Sequence, residues 1–575
     1  MTQRTPESPR RLLKALNPIP LLQQAFVAYS NNRRQQAEGA LDYILMDLPE
    51  AMPPLPEARG LIRRRIFGEA PLSLWELDQR FERIAADTRP KGVILVMSGL
   101  AMSLADLQTL RHSITKLRDS GKRVIVWAQA FDLALYYVAS AASEVILQPG
   151  GNLFTVGLRQ DALFFKEALE TVGIEVESFA ISPYKGALDS FTLNDMSVEG
   201  REQADWLLDS RYNQIISGIA EGRGWTQEKA NDVIDNAPYL DTFAKGIGVV
   251  DALLFQEELN KYLQTHAIVT WEDADDKLLI KFRRPQEKYI AILKVEGLMV
   301  TGESASSPGD IPIPLPVVDD GRVGDVTLVG QVRALMEDKD AAAVVLFIDS
   351  GGGSADAAES MYSALLELAK DRPLIAYMNG VAASGGYMVA APARRIVAQP
   401  GTITGSIGVV AARISATVLR DRLKINAVGL QRGRNANILS PNEPLSREQR
   451  EWFGQSITRA YDLFLDIVAK GRGIPKEDVD AVAGGRVWTG EQALEHKLID
   501  QLGGLRDAIA AACELAGIPA DSPVAVVTDK PKALAPAIAE TANPAAYLRY
   551  AERGLTVIGG GRPLVWMPFV IETRG

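Results

Sequence analysis

The run Val344-Val345-Leu346-Phe347-Ile348-Asp349-Ser350-Gly351-Gly352-Gly353-Ser354, residues 344–354, decides how this chain folds. Its unbroken apolar start reads as a strand buried on both faces. The strand runs into a glycine turn, and a helical pattern opens near Ala355. Strand, tight turn and helix in that order belong to a parallel sheet with crossover connections. The order then recurs. Leu374 to Met378 leads through Asn379-Gly380-Val381-Ala382-Ala383 to Ser384-Gly385-Gly386 and a second helix. Where consecutive parallel strands are neighbours, their carboxyl ends share one crevice. There the amide of Gly352 or Gly353 and that of Gly385 could hold an oxyanion while the Ser384 hydroxyl attacks a carbonyl. Turns of this kind also serve close packing or phosphate binding, so neither is specific by itself.

Working outward, the chain repeats itself. Gln148-Pro149-Gly150 and Gln399-Pro400-Gly401 stand 251 residues apart, and at that spacing Tyr136 meets Tyr387 and Val93-Ile94-Leu95-Val96 meets Val344-Val345-Leu346-Phe347. Further on the spacing becomes 249, where Gly222-Arg223-Gly224 meets Gly471-Arg472-Gly473 and Ser197 meets Ser446. In each copy apolar strands such as Arg123 to Trp127 and Pro373 to Tyr377 alternate with helical patterns such as Leu104 to Leu117 and Ala355 to Leu368. The expected architecture is α/β: two tandem domains, each a parallel sheet with crossover helices.

This reading divides the chain into an N-terminal helical or amphipathic segment (1–58), a first repeat (59–270), a second repeat (271–528) and a C-terminal tail (529–575). Gly302 to Val323, rich in Ser, Pro, Gly and Asp, reads as a mobile loop. The tail carries two short apolar runs, Leu555 to Gly561 and Leu564 to Val570, and has no counterpart in the first repeat. Near the start, the uncharged run Ala15 to Asn32 holds Pro18, Pro20, Gln23 and Gln24, which makes it too polar to span a bilayer. Arg10, Arg11 and Lys14 before it, and Arg33 and Arg34 after it, suit a membrane surface; helical core or partner contact suits the pattern equally well. Compartment is not readable from these features.

Composition narrows the chemistry. With 47% hydrophobic and 23% charged residues the chain is globular, and its net charge of −10 argues against a nucleic-acid partner. Cys513 is the one cysteine and His112, His266 and His496 are the only histidines, so neither a disulfide, a thiolate metal cluster nor a paired-ligand metal site is expected. No cofactor is expected either. A Ser-His-Asp arrangement is disfavoured because none of the histidines sits in a glycine-rich turn.

The repeat sharpens the candidate site by what each copy lacks. Leu133 stands where the second copy has Ser384, and Ala134 and Leu135 stand for Gly385 and Gly386. Downstream, Phe179-Ala180-Ile181-Ser182-Pro183-Tyr184-Lys185-Gly186-Ala187-Leu188 carries one lysine in apolar surroundings, and its counterpart is Arg434. Arginine cannot give up its proton in a protein, so only the first copy keeps a possible base. A lysine serves as base only when neutral, and bringing an ammonium from about 10.4 to about 7 costs roughly 4 to 5 kcal/mol, which apolar burial can impose. Asp189 would oppose that shift and is expected to point away from the amine. Each half thus keeps a different part of one site, which should form between the halves.

The matching residues Ser350 to Ser354, Asn379-Gly380 through Ala382-Ala383-Ser384-Gly385-Gly386-Tyr387, Thr404-Gly405-Ser406-Ile407-Gly408 and Tyr184-Lys185 make the sequence resemble the signal peptide peptidase A (protease IV) family in its long tandem-repeat form. The resemblance spans roughly residues 60 to 525. It implies the fold shared by the Clp protease subunit and crotonases, with Ser384 as nucleophile, Lys185 as general base and Ser406 orienting the amine. It further implies a serine endopeptidase that assembles as a bowl-shaped homotetramer and degrades hydrophobic peptides such as released signal peptides. Gly351 replaces a proline of the family's turn, and the family's N-terminal membrane anchor is not recognisable here. A crotonase-type acyl-CoA enzyme with the same oxyanion geometry, and a non-catalytic assembly protein, stand as alternatives.

Overall fold

The computed structural model describes residues 19–36, 41–57, 69–282, 286–305, 321–527 and 564–566. The first half is built on a parallel sheet with strands in the order Ile268–Thr270, Tyr43–Leu48, Gly92–Met97, Arg123–Ala128, Glu144–Leu147 and Ala252–Leu253. The second half is built on an eight-stranded sheet in the order Val487–Thr489, Ile403–Gly405, Leu374–Ala383, Ala341–Ser350, Tyr289–Glu296 and Val524–Val526, with Arg395–Ala398 also pairing along Leu374–Ala383 and Gln501–Leu502 pairing with Arg395–Ala398. The pairing of Val487–Thr489 with Ile403–Gly405 is antiparallel and the others along this order are parallel. The α/β architecture of parallel sheets with crossover helices is therefore what the sequence led one to expect.

The apolar runs occupy the middle of each sheet because helices cover both faces. Val344 through Ile348 are fully buried, and burying a side chain of that size is worth about 1.5–3 kcal/mol. The 249-residue spacing relates two equivalent helices, Val198–Arg223 and Arg447–Arg472, whose N-caps are Ser197 and Ser446. Gly224 and Gly473 end those helices at φ 64°, a conformation that favours glycine.

The first sheet takes in Tyr43–Leu48, which the division at residue 58 leaves outside the repeat. The first core likewise includes Trp271, Ala274 and Leu278, beyond the division at 270. Self-similarity becomes visible only from Val93 onward, whereas hydrogen bonding along the whole strand edge sets where the domain begins. Of the N-terminal segment, helix Ile19–Gln36 is described, and its Asn31 and Arg34 bond to the Ile280, Asp275 and Leu278 carbonyls. No helix among the described residues is long and apolar enough to cross a membrane. Most of the Gly302–Val323 loop and of the 529–575 tail lies outside the described residues.

The halves are joined edge to edge and face to face. Glu175–Ala180 of the first pairs antiparallel with Val410–Ser415 of the second, from Ala180 opposite Val410 to Glu175 opposite Ser415. Helix Leu104–Asp119 of the first docks on the end of the second sheet: Gln108 Oε1 accepts from Gly401 N–H at 2.8 Å, and Gln399 Nε2 donates to Thr109 Oγ1 at 3.0 Å. In the same sheet as Glu175–Ala180, the strand Leu564–Trp566 runs antiparallel to Gly352–Ser354 and meets Val410. The tail thus contributes a strand beside the glycine turn, a role the repeat gives no hint of.

Candidate active site

In the first copy the turn after the strand is an ordinary helix start. Asp132, at φ −88°, caps helix Leu133–Ala139 by accepting from Leu135 N–H at 2.7 Å, and Leu133 is buried. In the second copy the same junction is strained. Ser384 sits at φ 57°, ψ −117° before helix Gly385–Ala390 and makes no side-chain cap bond. A non-glycine residue in that region costs of order 1–3 kcal/mol and persists only where its surroundings enforce it. Here the Ser384 amide donates to the Gly405 carbonyl at 2.8 Å, and the Met388 amide donates to the Ser384 carbonyl at 2.9 Å. Gly386 permits close packing, since a Cβ there would stand 2.4 Å from the Ser350 carbonyl oxygen. The strain turns the hydroxyl away from the cap and toward the other half.

That half supplies Lys185. After strand Glu175–Ala180 the chain turns at Ser182, whose Oγ donates to the Gly484 carbonyl and whose own carbonyl accepts from Lys185 N–H at 3.1 Å. Ala187 and Leu188 anchor the turn by packing on Val410 and Ala412. The Lys185 amine then lies 2.8 Å from Ser384 Oγ, 2.8 Å from the Ser406 carbonyl oxygen and 2.9 Å from Ser406 Oγ. Lys185 is 1% exposed, and Ser384 and Ser406 are fully buried.

Burial alone holds the Lys185 amine well below the usual lysine range. No acidic side chain among the described residues forms an ion pair with it, and the Asp189 carboxylate lies beside Gly186. A neutral amine has two N–H donors and one lone pair, and three oxygens surround it. If both N–H groups go to Ser406, the lone pair faces the Ser384 hydroxyl.

At the glycine turn, Gly352 and Gly353 adopt φ 96° and 156°, and a Cβ on Gly353 would stand 2.2 Å from the Met299 carbonyl oxygen. The Gly352 amide already donates to Ser350 Oγ at 3.1 Å, and that hydroxyl donates to the Gly297 carbonyl at 2.6 Å. Gly352 is thereby committed to shaping the turn, and Gly353 and Gly385 carry the remaining candidate amides. Arg434, the second-copy counterpart of Lys185, is exposed.

Sequence reasoning missed the wall behind the lysine. Gly485, at φ 88°, lies so close that a Cβ would stand 2.6 Å from Lys185 Cα, and Gly408 approaches Lys185 Cδ. The next residue, Arg486, accepts through its carbonyl from the Ser406 amide at 2.6 Å and lays its guanidinium 4.2 Å from the Tyr184 ring centre. Tyr184, Trp206 and Trp488 stack in succession, and the Trp206 indole N–H donates to the Val487 carbonyl at 2.9 Å. The available signal was the pair Gly484-Gly485, for which the first copy has Asp235-Asn236 at the 249 spacing. Gly485→Ala is expected to fold yet lose about 10²-fold in kcat/KM, since a shift of about 1 Å at a reacting group costs that much. Unchanged kinetics in the folded variant would remove Gly485 from the account.

The family model described as Peptidase family S49 matches residues 116–270 and 367–519, one segment in each half. The chloroplastic serine protease SPPA of Arabidopsis thaliana is 33% identical over 466 residues, covering 79% of this chain and 68% of the relative. Protease 4 of Haemophilus influenzae is 28% identical over 463 residues (76% and 72%), and Protease 4 of Salmonella typhi is 28% identical over 520 residues (85% and 80%). With both halves matched and relatives aligned along most of their length, this chain belongs to peptidase family S49 and carries two copies of its domain.

Proposed function

We propose that the protein is a serine endopeptidase in which Ser384 is the nucleophile and Lys185 its general base, acting on hydrophobic peptides such as released signal peptides. The observation that carries this reading is the buried contact of 2.8 Å between Lys185 Nζ and Ser384 Oγ. Lys185 takes the hydroxyl proton as Ser384 Oγ bonds to the scissile carbonyl carbon. The oxygen that becomes negative is met by the Gly353 and Gly385 amides. Lys185 then passes its proton to the leaving amine, and the acyl group stays on Ser384. A water, deprotonated by the same amine, attacks the ester and restores the enzyme. Ser406 orients the amine through its hydroxyl and carbonyl.

The peptide's path is supported by the tail strand. Leu564–Trp566 adds antiparallel along Gly352–Ser354, so this edge accepts an extended backbone beside the proposed oxyanion amides. Leu423, Ile425, Val428 and Leu430 are exposed, an apolar stretch that supports the homotetramer, whose mass light scattering would report. Phe26 and Tyr29 are exposed on the N-terminal helix, which favours peripheral contact with a membrane; vesicle flotation tests it.

The decisive experiment treats active protein with a serine-directed phosphonate and maps the adduct. A single adduct on Ser384, with parallel loss of hydrophobic-peptide cleavage, is the expected result. Full cleavage with Ser384 unmodified would remove Ser384 from the chemistry, whereas a folded protein that neither takes the label nor cleaves peptide would return the acyl-CoA and scaffold readings to the front.

A further inference from the structure

A second group of side chains meets across the halves close to this site. Asp106 lies in the first turn of helix Leu104–Asp119 and is buried. Its Oδ2 accepts from Ser103 Oγ at 2.7 Å, while its buried Oδ1 makes no geometric hydrogen bond, because the Asn379 amide that stands near it is given to Asp349. Facing it from the second half is Asp349, the residue before Ser350 in strand Ala341–Ser350. Asp349 Oδ1 accepts from Val381 N–H at 3.0 Å and Oδ2 from Asn379 Nδ2 at 2.9 Å. The two halves crowd one point: a Cβ on Gly380 would stand 3.3 Å from Ser103 Oγ and 3.4 Å from Asp349 Oδ1.

The titratable groups around the pair are acidic or neutral. Glu296, at the end of strand Tyr289–Glu296, faces Asp349, and Tyr377 of strand Leu374–Ala383 faces both aspartates and donates to Asn379 Oδ1 at 3.3 Å. Asp507, from helix Leu505–Ala516, faces Tyr377. No lysine, arginine or histidine among the described residues pairs with either carboxyl. Two carboxyls thus lie near one another in a buried seam with no cation beside them, an arrangement that a single proton relieves. The repeat marks the cluster as deliberate. At the 251 spacing Asp106, Asp349 and Asn379 correspond to Ala357, Ser98 and Ala128, so the polar trio exists once, across the halves, just as Ser384 and Lys185 do.

We propose that Asp106 and Asp349 share one proton at neutral pH, and that through this pair the first repeat positions the strand ends carrying the Ser350–Gly353 turn and Ser384. The positioning role rests on the reading of Ser384 as nucleophile; the shared proton does not. Burial raises the Asp106 carboxyl to about 6, and burial together with Asp106 raises Asp349 to about 7, so the pair titrates as a unit near neutrality. Such carboxyls bind protons in the folded chain that the unfolded chain has released. Their contribution to stability therefore falls as pH rises from about 4 through about 7.

The test combines infrared spectroscopy with kinetics on the full chain. At pH 7 the wild type is expected to show a protonated-carboxyl band that shifts with carbon-13 aspartate and is lost in both Asp106→Asn and Asp349→Asn. Asp106→Ala is expected to lower kcat about tenfold with KM within about twofold, and Asp106→Asn to restore kcat. Asp106→Asn should also flatten the fall of thermal midpoint between pH 5 and 8. A wild type without the band, or a band unchanged in both amide variants, overturns the shared proton. Asp106→Ala with wild-type kcat overturns the positioning role. Should the alanine variant not fold, the amide variants still decide the first point. A missing adduct at Ser384 would sink the nucleophile reading while leaving the infrared result intact.

Discussion

Lys185→Met is expected to lose at least about 10³-fold in kcat/KM while melting at a higher temperature than the wild type near pH 7. The loss follows if the amine is the only base within reach of Ser384, because a serine hydroxyl is a poor nucleophile until its proton is taken. The gain in stability follows from burial. Lys185 sits at 1% exposure with its amine held well below the usual lysine range, so the unfolded chain binds a proton that the folded chain has released. Between that lowered value and about 10.4 the wild type gains stability as pH rises; below it both states carry the proton and the slope vanishes. Methionine removes the slope. It also leaves Ser406 and Ser384 without the amine, a penalty of about 1–3 kcal/mol per buried polar group left unpaired, although hydroxyls can turn to other acceptors. The advantage of Lys185→Met should therefore shrink from pH 7 to pH 10 in thermal melts. An advantage independent of pH would mean that the amine is not the source, and retained activity would remove Lys185 from the chemistry. In the wild type, kcat/KM should rise with pH as the free enzyme's lysine loses its proton.

The sequence showed this pairing because duplication supplied its own control. Leu133 in place of Ser384 and Arg434 in place of Lys185 indicate that neither half is complete, and both indications are matters of residue type. What depends on where a hydrogen bond lands was not legible. Gly352 and Gly353 look alike in the chain, yet Ser350 Oγ occupies the amide of the first. Gly485 matters through a backbone approach from a residue 300 positions away in sequence, which no local pattern encodes. The same holds for the domain boundary: Tyr43–Leu48 belongs to the first sheet through pairing with Gly92–Met97 and Ile268–Thr270, and its own sequence does not announce its partners.

The asymmetry also bears on the burial of Lys185. A base carried by the same domain as its nucleophile can reach it from the surface, whereas one delivered across an interface is desolvated by the contact that delivers it. Here strand pairing of Glu175–Ala180 with Val410–Ser415, the wall of Gly485 and Gly408, and packing of Ala187 and Leu188 bury the amine together. On the proposed reading, docking of the halves and activation of Lys185 as base are one event. Changes that loosen the interface should therefore lower activity before they lower secondary-structure content.

The double variant separates this coupled site from a serine and a lysine that merely sit together. Ser384→Ala alone is expected to remove at least about 10⁴-fold of kcat/KM, since the bond-forming atom is gone, with residual turnover left to the oxyanion amides and substrate binding. Adding Lys185→Met should then cost less than about threefold more. On the proposed reading the amine acts only through the hydroxyl 2.8 Å away, and groups that act as a unit lose their effect together. Independent contributions would instead multiply, placing the double variant about 10³-fold below Ser384→Ala. Single-turnover measurements on one hydrophobic peptide, with circular dichroism to establish that all four proteins are folded, give the four corners of the cycle. A multiplicative result would mean that Lys185 serves some group other than Ser384. A Ser384→Ala variant with wild-type turnover would end the nucleophile reading, whatever the lysine does.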